Sequence, residues 1–291
     1  EISACLVGSE MCIRDRDGVM TEDAHREAII AAKERIDSGR ISKIVIARDV
    51  RGSIAPDADR RLTVSRLAFA YPTCSTYAVD GLIGATPETL VRARDGEITA
   101  RVLAGTAPRS ANATEDRRTA EQLITSTKDL AEHAYAIDSA RESLIQLDPD
   151  ITRALLVSEK PFLLELPNVW HLASDVRGQL PDQTSVLDLV TAIHPTAAVG
   201  GTPRDVALPM IDELEPFDRR RYAGPVGWVS ADGDGEFAVA LRGAEFERNG
   251  TVTAFAGGGI VSTSDEQAEF HETEWKLKPI REALSAVGDG E

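Results

Sequence analysis

Two Asp-Gly turns, each between runs of alternating polarity, constrain the fold more than any other feature of the chain. Asp80-Gly81 and Asp95-Gly96 both lie in the segment STYAVDGLIGATPETLVRARDGEITARVLAG. Asp-Gly between two such runs is a strong hairpin signal, because both central positions of the tightest hairpin turn need positive φ angles. A hairpin joins neighbouring antiparallel strands, so this part of the chain is predicted to form antiparallel sheet.

Further strands and several helices are predicted on either side of these turns. GPVGWVS and EFAVALRGAEF flank a turn at 231–235, and TVTAFAGGGIV follows as another strand. Thr21 as the N-cap and Gly39 as the stop bound a predicted helix. Other helices are predicted over 113–147, with a break near Ser126, and in SVLDLVTAIHP, VALPMIDELEPF and DEQAEFHETEWKLKPIREAL. The pattern predicts an α+β domain with mixed, mostly antiparallel sheets flanked by helices.

Residues 1–16, EISACLVGSEMCIRDR, differ in character from the rest of the chain. The segment begins with an acidic residue and has only a short apolar run, which is not typical of a signal peptide. It resembles translated adaptor sequence. We therefore predict that residues 1–16 are a non-native leader and that residues 17–291 form the domain.

Composition excludes several classes of protein. A formal net charge of −16 does not favour a broad electropositive surface for nucleic acid. The apolar runs are interrupted before the roughly 20 residues that cross a bilayer. Three cysteines have neither zinc-site spacing nor the density of a disulfide scaffold. These features predict a cytoplasmic protein that binds neither nucleic acid nor membrane. An anionic substrate would need a local group of cations, backbone N–H groups or a metal.

Two acidic pairs are candidate metal ligands. Asp129 with Glu132 in KDLAEH, and Glu269 with Glu272 in AEFHETEWKL, each have i,i+3 spacing on a predicted helix. Both members of a pair therefore share one helix face. Two such pairs facing each other would supply the hard oxygen ligands that Mg²⁺ prefers. A solvated helix face is the simpler explanation of either pair taken alone.

Glycines and cations near the end of the chain are candidate anion-binding groups. Gly257 to Gly259 are predicted where a strand ends, and their N–H groups could hold a carboxylate. A flexible turn is the alternative. Lys276 follows Glu272 by one helical turn. Arg242 is predicted inside the strand AVALRGAEF, where a half-buried cation needs an anionic partner from the protein or from a substrate.

Lys43 and Glu88 are the candidate proton-transfer groups. Lys43 shares an apolar strand face with Val45 and Ala47 in SKIVIARDV. Desolvation there favours the neutral amine and suits a general base. An edge-strand lysine in water is the alternative. Glu88 follows a proline-fixed turn in GATPETL and could act as an acid, with a surface or helix-capping role as the alternative.

Nine segments, in their order along the chain, resemble motifs of the chorismate-binding enzyme family. They are SKIVIAR, GATPETLVR, LAGTAPR, KDLAEH, HPTAAVGGTPR, RYAGPVGW, ALRGAEF, AGGGIV and AEFHETEWKL, and the resemblance spans about 21–284. It implies the chorismate-utilising enzyme fold, chorismate as the substrate and Mg²⁺ as the cofactor. Family members usually carry a further N-terminal region, so the resemblance also implies that this portion of the fold is missing.

The resemblance also assigns roles by matching position. It implies that Glu132 and Glu272 ligate Mg²⁺ directly, with Asp129 and Glu269 acting through water or orienting them. It implies that Lys43 activates water and that Glu88 protonates a departing hydroxyl. The substrate-binding residues that it implies are His171, Ala198, Tyr222, Arg242, Gly257, Gly258, Gly259 and Lys276.

Within the family, the resemblance favours an isochorismate synthase, an isomerase that adds water at C2 of chorismate and removes the C4 hydroxyl. Lys43 stands where the family's water-activating base stands, and Ala104 replaces the nucleophilic lysine of aminodeoxychorismate synthases. Ala198 matches the small residue typical of isochorismate synthases. Salicylate synthase, an anthranilate synthase-like large subunit and an inactive truncated chorismate-binding fragment are the alternatives. The resemblance implies a monomer, and isochorismate serves both menaquinone and siderophore biosynthesis.

Overall fold

The structure, a computed structural model, describes residues 16–147, 155–180 and 184–285. Apart from Arg16, the predicted leader lies outside these residues, and its non-native origin stays a prediction. The described residues form seven helices: α1 Glu22–Asp37, α2 Arg61–Ala70, α3 Ala113–Thr125, α4 Thr127–Leu147, α5 Val186–Ile193, α6 Arg204–Leu214 and α7 Glu266–Leu284. None of these helices combines the length and the apolar character needed to cross a membrane.

The described strands form two sheets of seven strands each. The first sheet contains β1 Arg16–Asp17, β2 Lys43–Ser53, β3 Ser75–Val79, β4 Leu82–Thr86, β10 Gly201–Thr202, β13 Gly243–Phe246 and β14 Thr251–Ile260. The second contains β5 Thr89–Arg94, β6 Glu97–Pro108, β7 Leu156–Val157, β8 Phe162–Glu165, β9 Val169–Gln179, β11 Pro225–Val229 and β12 Gly235–Val239.

Strand order differs from sequence order in both sheets. The first runs β1-β2-β14-β13-β4-β3, with β10 also beside β2, and the second runs β11-β12-β5-β6-β9-β7, with β8 also beside β9. The strand pairs of both sheets are antiparallel. The predicted α+β class is therefore confirmed.

Both Asp-Gly turns connect neighbouring strands as predicted. Asp80 and Gly81 have φ angles of 44° and 82° between β3 and β4, and Asp95 and Gly96 have 51° and 79° between β5 and β6. Positive φ at both central positions is the feature that makes Asp-Gly the favoured pair in such turns. The local chemistry of the turns therefore determines the pairing of the flanking strands.

The alternation in β2 separates two environments. Ile44 and Ile46 point away from the second sheet and join the core under α1 and α6, where Ile260 of β14 meets them. Both isoleucines are fully buried, and each such side chain contributes about 1.5–3 kcal/mol through burial. Val45 points the other way and lines a cavity. The predicted division of β2 into two faces is confirmed.

The predicted strand EFAVALRGAEF is wrong in one respect, because Arg242 does not lie inside a strand. β12 ends at Val239 in the second sheet, and β13 begins at Gly243 in the first. Arg242 lies between them with a φ of 54°, in the left-handed region. The chain passes from one sheet to the other here, so the period-two pattern does not correspond to one continuous strand.

The glycine segment 257–259 lies in the last part of a strand, as predicted. β14 continues through it to Ile260, with Gly257 opposite Ala47 and Gly259 opposite Val45. The prediction of a strand over TVTAFAGGGIV, with the glycines close to its end, is therefore confirmed, and the alternative of a flexible turn is wrong. A full register of pairing with β2 keeps this segment extended, which local sequence could not show.

Candidate active site

One cavity between the two sheets brings together most of the predicted site residues. Val45 and Phe255 come from the first sheet, and the segment 103–106 comes from the second. Of the predicted residues, nine line the cavity: Glu88, Glu132, His171, Ala198, Tyr222, Arg242, Gly257, Gly259 and Lys276. The others lie outside the lining: Lys43, Asp129, Gly258, Glu269 and Glu272.

The two acidic pairs meet beside this cavity. Lys128 of α4 donates to Glu269 Oε1 of α7 across a distance of 2.7 Å, which joins the two helices. Glu132 is 8% exposed and Glu269 is 2% exposed. A solvated helix face is therefore wrong for both residues, and the prediction that the pairs face each other is supported by this contact.

Each of the glutamates Glu132, Glu269 and Glu272 forms an ion pair with a different lysine. Lys43 Nζ lies 3.3 Å from Glu132 Oε1, and Lys276 Nζ lies 2.5 Å from Glu272 Oε1, in addition to the Lys128 contact with Glu269. We call these residues the carboxylate–lysine cluster: Asp129, Glu132, Glu269, Glu272, Lys43, Lys128 and Lys276. Buried carboxylates so close together need these cations, because desolvation and like charges both oppose ionisation.

The pKa values within the cluster move apart. Burial raises the pKa of Glu269 above its usual range, and the neighbouring Glu272 adds to this. Burial also raises the pKa of Asp129, with Glu132 and Glu272 contributing. Burial would raise the pKa of Glu272 too, but Lys276 holds it below its usual range. The lysines therefore do not compensate all of the negative charge.

Glycines in β14 make room for the carboxylates. A Cβ atom at Gly259 would lie 2.3 Å from Glu132 Oε1 and 2.6 Å from Lys43 Cε. One at Gly258 would lie 2.8 Å from Glu269 Oε2. Any side chain at either position would therefore displace a carboxylate of the cluster. The requirement for glycine here is one of space, since neither residue has a positive φ.

A buried cation with a neutral partner lies elsewhere on the cavity wall. Arg242 is 8% exposed, and its Nη2 donates to His171 Nε2 over 2.8 Å. Among the described residues, no carboxylate makes a hydrogen bond or ion pair with Arg242. Burial lowers its pKa, but a guanidinium remains charged in proteins. Such a cation favours an anion in the cavity.

His171 has a defined protonation state in this arrangement. Arginine can only donate, so Nε2 must accept and Nδ1 must carry the proton. Nδ1 lies 3.3 Å from the Gly105 carbonyl oxygen and 3.1 Å from Thr106 Oγ1. Burial, and then Arg242, hold the pKa of His171 well below its usual range. We call Arg242, His171 and Thr106 the arginine–histidine wall.

Tyr222 and Lys276 complete this part of the cavity. The Tyr222 ring stacks on Phe255, with ring centroids 5.4 Å apart. Burial raises the pKa of Tyr222 to about 12, so its hydroxyl is neutral and can donate a hydrogen bond. Lys276 Nζ donates to the Gly257 carbonyl oxygen at 2.8 Å. Both side chains therefore bring donors to the same side as Arg242.

Glu88 is a buried acid rather than a surface or capping residue. It is 5% exposed, and burial raises its pKa to about 7 although Lys43, Lys276 and Arg242 act against this. Its backbone N–H donates to Thr86 Oγ1 at 3.2 Å. A carboxyl group with a pKa close to neutrality can hold and release a proton at physiological pH.

Lys43 is fully buried, at 0% exposure. β2 lies between β14 and β10, so the alternative of an edge-strand lysine in water is wrong. The Lys43 amino group lies behind the cavity wall, next to Glu132, which lines the cavity. Among the described residues, no acceptor has hydrogen-bond geometry to the Lys43 Nζ atom.

Sequence reasoning assigned no role to several residues of this region. Lys128 opens the KDLAEH segment, and Gly105 and Thr106 lie in LAGTAPR. Gly105 has a φ of 87°, and a Cβ atom there would lie 3.2 Å from the Asp129 Cβ. His133 Nε2 lies 2.9 Å from Ser174 Oγ, a buried contact between α4 and β9. Membership of these segments was the signal that could have identified Lys128, His133, Gly105 and Thr106, whereas Ser174 lies in none of the nine segments.

Comparison with known proteins places the chain in a family. Residues 9–285 match the family described as "Chorismate binding enzyme". The chain belongs to this family. The resemblance inferred from the nine segments is confirmed by this match.

The similar proteins include isochorismate synthases. The chain is 38% identical over 261 residues to the "Salicylate biosynthesis isochorismate synthase" of Pseudomonas aeruginosa, covering 88% of this chain and 54% of that protein. It is 37% identical over 262 residues to "Isochorismate synthase DhbC" of Bacillus subtilis, covering 86% of this chain and 65% of that protein. The chain thus spans about half to two thirds of the length of these relatives.

A solved structure agrees over most of the chain. The crystal structure of DhbC from Bacillus anthracis has a TM-score of 0.87 and 33% sequence identity to this chain. The match covers 94% of this chain and 74% of that one. The two sheets described above are therefore arranged as in a chorismate-binding enzyme.

Proposed function

We propose that this chain is an isochorismate synthase, which converts chorismate to isochorismate. The observation that carries the proposal is that a buried acid, Glu88, lines the cavity of a chorismate-binding enzyme while a buried lysine, Lys43, lies behind the cavity wall next to the lining residue Glu132. Burial raises the pKa of Glu88 to about 7, which suits proton donation. The printed names of the similar proteins support the same activity.

The arginine–histidine wall would bind the enolpyruvyl carboxylate of chorismate. Arg242 is buried and its hydrogen bond goes to a neutral imidazole, so its charge is open to an anionic ligand. Tyr222 and Lys276 bring further donors to the same side of the cavity. Charge-assisted hydrogen bonds of this kind are roughly twice as strong as neutral ones. Ala198 and Gly257 also line the cavity, and their small size would leave room for the substrate.

The acidic residues of the carboxylate–lysine cluster would hold Mg²⁺. Carboxylate oxygens are the ligands that this ion prefers, and the missing Cβ atoms of Gly258 and Gly259 leave space beside them. In the described residues no three acidic, histidine or cysteine side chains stand at metal-ligand spacing, and the glutamates bond lysines instead. Glu132 and Glu272 would contact the ion directly, with Asp129 and Glu269 supporting them. When bound, Mg²⁺ supplies positive charge for the ring carboxylate.

The reaction moves a hydroxyl group without any oxidation or reduction. Lys43 accepts a proton from water as the water oxygen bonds to C2, and the ring double bonds shift. Glu88 donates a proton to the hydroxyl that leaves C4, so one water is consumed and one is released. The fixed donors on the cavity wall hold the dianion in place, and such positioning accounts for much of the rate in comparable enzymes.

Product analysis tests the proposal. The purified chain is incubated with chorismate and Mg²⁺, and the products are separated by chromatography, with a Lys43→Ala variant as the control. Isochorismate without salicylate or pyruvate is the expected result. Salicylate with pyruvate would assign the lyase reaction instead. Anthranilate after addition of ammonia would assign an anthranilate synthase-like subunit.

A second experiment tests the proposed Mg²⁺ cofactor separately from the identity of the reaction. The chain is treated with EDTA and titrated with Mg²⁺ while turnover is followed. Turnover that disappears with EDTA and returns with Mg²⁺ supports the proposed cofactor. Full turnover in EDTA would contradict it while leaving the reaction in place. Binding of chorismate with no turnover at any Mg²⁺ concentration would support an inactive binding fragment.

We further propose that the protein acts in the cytoplasm as a monomer, without binding nucleic acid or membrane. Cysteine usage and the net charge of −16 support the compartment and the absence of a nucleic-acid surface. Light scattering during size-exclusion chromatography tests the oligomeric state. A mass twice that of the chain would contradict the monomer.

A further inference from the structure

The strand that carries Lys43 has an edge that strands cover only in part. Along this edge, β10 pairs with β2 at Lys43 and Ile44, and β1 pairs with it at Val50 and Arg51. Among the described strands, none pairs with the segment 45–49 on this side. Backbone groups along such a gap need other partners, because buried N–H and C=O groups are rarely left without hydrogen bonds.

A partly buried ion pair between Glu215 and Arg219 occupies part of this gap. Glu215, which follows α6, accepts a hydrogen bond from the Ala47 N–H at 2.8 Å. Arg219 Nη2 donates to the Val45 carbonyl oxygen at 2.8 Å. The two side chains also bond each other, with Arg219 Nε 2.7 Å from Glu215 Oε2 and Nη2 2.5 Å from Oε1. The pair thus supplies the acceptor and the donor that a neighbouring strand would have supplied.

The same guanidinium reaches a second wall of the cavity. Arg219 Nη1 donates to the Val199 carbonyl oxygen at 2.8 Å. Val199 and Ala198 line the cavity from the loop 195–200, and Val45 lines it from β2. The Val45 N–H also donates to the Gly200 carbonyl oxygen at 2.7 Å. Arg219 therefore ties this loop and the Lys43 strand together at the cavity.

A third lining residue follows from the same segment. The Tyr222 N–H donates to the Arg219 carbonyl oxygen at 2.9 Å, which holds the turn that carries Tyr222. Tyr222 also lines the cavity. Arg219 thus contacts three lining residues, Val45, Val199 and Tyr222, although it does not line the cavity itself.

We propose that Arg219, oriented by Glu215, is a positioning residue that sets the distance between the Lys43 strand and the loop 195–200. A planar guanidinium can donate to a carboxylate and to two carbonyl groups at once. A lysine ammonium is compact and cannot span the same acceptors from one position. The catalytic consequence rests on the proposed function. The structural consequence, a fixed spacing of the two segments, does not.

The test compares Arg219→Lys with Arg109→Lys. Arg109 is the matched control, because its guanidinium also donates both to carboxylates and to a backbone carbonyl group. The carboxylates are those of Asp116 and Glu165, and the carbonyl oxygen is that of Leu166. It does not line the cavity. Both variants keep the positive charge, so both are expected to fold with a similar decrease in Tm. Hydrogen exchange is measured by mass spectrometry in peptides covering 43–48 and 195–201.

Arg219→Lys is expected to increase exchange by about tenfold in both peptides, as local opening becomes easier there. It is expected to lower kcat/KM by about 100-fold, mostly through kcat, since small displacements of catalytic groups have effects of that size. Arg109→Lys is expected to leave both peptides and kcat/KM unchanged. Glu215→Gln, which removes the charge that orients Arg219, is expected to increase exchange in the same two peptides.

Two results would overturn the inference. One is unchanged exchange in both peptides of Arg219→Lys, and the other is wild-type kcat/KM in that variant despite increased exchange. Failure of the proposed function has a different signature. Wild-type protein that neither binds nor converts chorismate would reject the isochorismate synthase reaction, and the exchange measurements would still decide whether Arg219 holds the two segments together.

Discussion

The carboxylate–lysine cluster and the arginine–histidine wall border the same cavity but balance their charges differently. In the cluster, each of the three glutamates contacts a lysine. In the wall, Arg242 bonds a neutral imidazole, and no carboxylate of the described residues pairs with it. The glutamates of the cluster are thus paired with lysines of the protein, whereas Arg242 of the wall has no carboxylate paired with it among the described residues.

This difference predicts opposite responses to ligands. An anion can join the wall without breaking an ion pair, because no carboxylate of the described residues pairs directly with Arg242. A cation can join the cluster only if carboxylates turn from their lysines towards it. The wall is therefore arranged for a substrate in advance, and the cluster has to exchange one set of contacts for another.

The largest effect is expected from Lys43→Ala, which removes the proposed base from the cluster. Turnover should fall by about 1000-fold or more, since general base catalysis contributes about that much, with a small change in chorismate affinity. Steady-state kinetics and calorimetric binding measure the two quantities. Lys33→Ala is the control, because Lys33 forms a partly exposed pair with Glu266. Undiminished turnover in Lys43→Ala would reject the role of the base.

A second prediction concerns Glu88, the buried acid that lines the same cavity. Its pKa in the folded protein is about 7, above the unfolded value, so its stabilising effect is complete at low pH and is lost as pH rises through about 7. Glu88→Gln cannot ionise. Relative to this variant, the wild type should lose about 3 kcal/mol of unfolding free energy between acidic and alkaline pH.

Urea denaturation across the pH range measures this difference. Glu97→Gln, at an exposed position of β6, is the control and should follow the wild type. A constant difference between the wild type and Glu88→Gln at every pH would show that Glu88 does not titrate in this range.

The third prediction concerns Arg242, the cation of the arginine–histidine wall. Arg242→Met should weaken chorismate binding by about 100-fold, because a charge-assisted interaction is lost. It should lower the unfolding free energy only slightly, because Glu272 attracts the removed cation without forming an ion pair with it. Isothermal calorimetry and urea denaturation measure these effects, with Arg92→Met of the half-exposed Arg92–Glu236 pair as the control. A large loss of stability would show that Arg242 is compensated after all.

The smallest effect is expected from Lys128→Met in the cluster. Glu269 would lose its counterion while remaining 2% exposed, so the unfolding free energy without Mg²⁺ should fall. We expect about 2 kcal/mol, because Lys128 itself is partly exposed and solvent screens the pair. Adding Mg²⁺ should reduce the deficit. Lys278→Met, from an exposed pair with Glu282, is the control. A deficit that Mg²⁺ leaves unchanged would separate the cluster from the proposed metal site.

Much of the fold could be predicted from local signals. The two Asp-Gly hairpins, the helix from Thr21 to Gly39 and the break near Ser126 all appear where the sequence predicted them. Each of these features depends on residues close together in the chain, such as an N-cap hydroxyl or a turn that needs positive φ. The path of the chain between sheets at Arg242 depends on distant strands, and it could not be predicted in this way.

The candidate site was predicted in part for the same reason. Spacing of i,i+3 placed Asp129 with Glu132, and Glu269 with Glu272, on shared helix faces. No spacing shows that Lys128 contacts Glu269, because 141 residues separate the two. The sequence likewise showed three consecutive glycines, but it could not show that two of them leave space for the carboxylates of Glu132 in α4 and Glu269 in α7.

The sequence by itself determined the α+β class, the family and nine of the residues that line the cavity, since these depend on local patterns and on ordered motifs. Tertiary structure decided how the charges are balanced. Contacts between distant segments pair Lys43 with Glu132 and direct Arg242 to a neutral histidine rather than to a carboxylate. Arg219 likewise links β2 to the loop 195–200 through contacts between distant segments. Electrostatic energy depends on distance in space and on burial, and neither follows from distance along the chain.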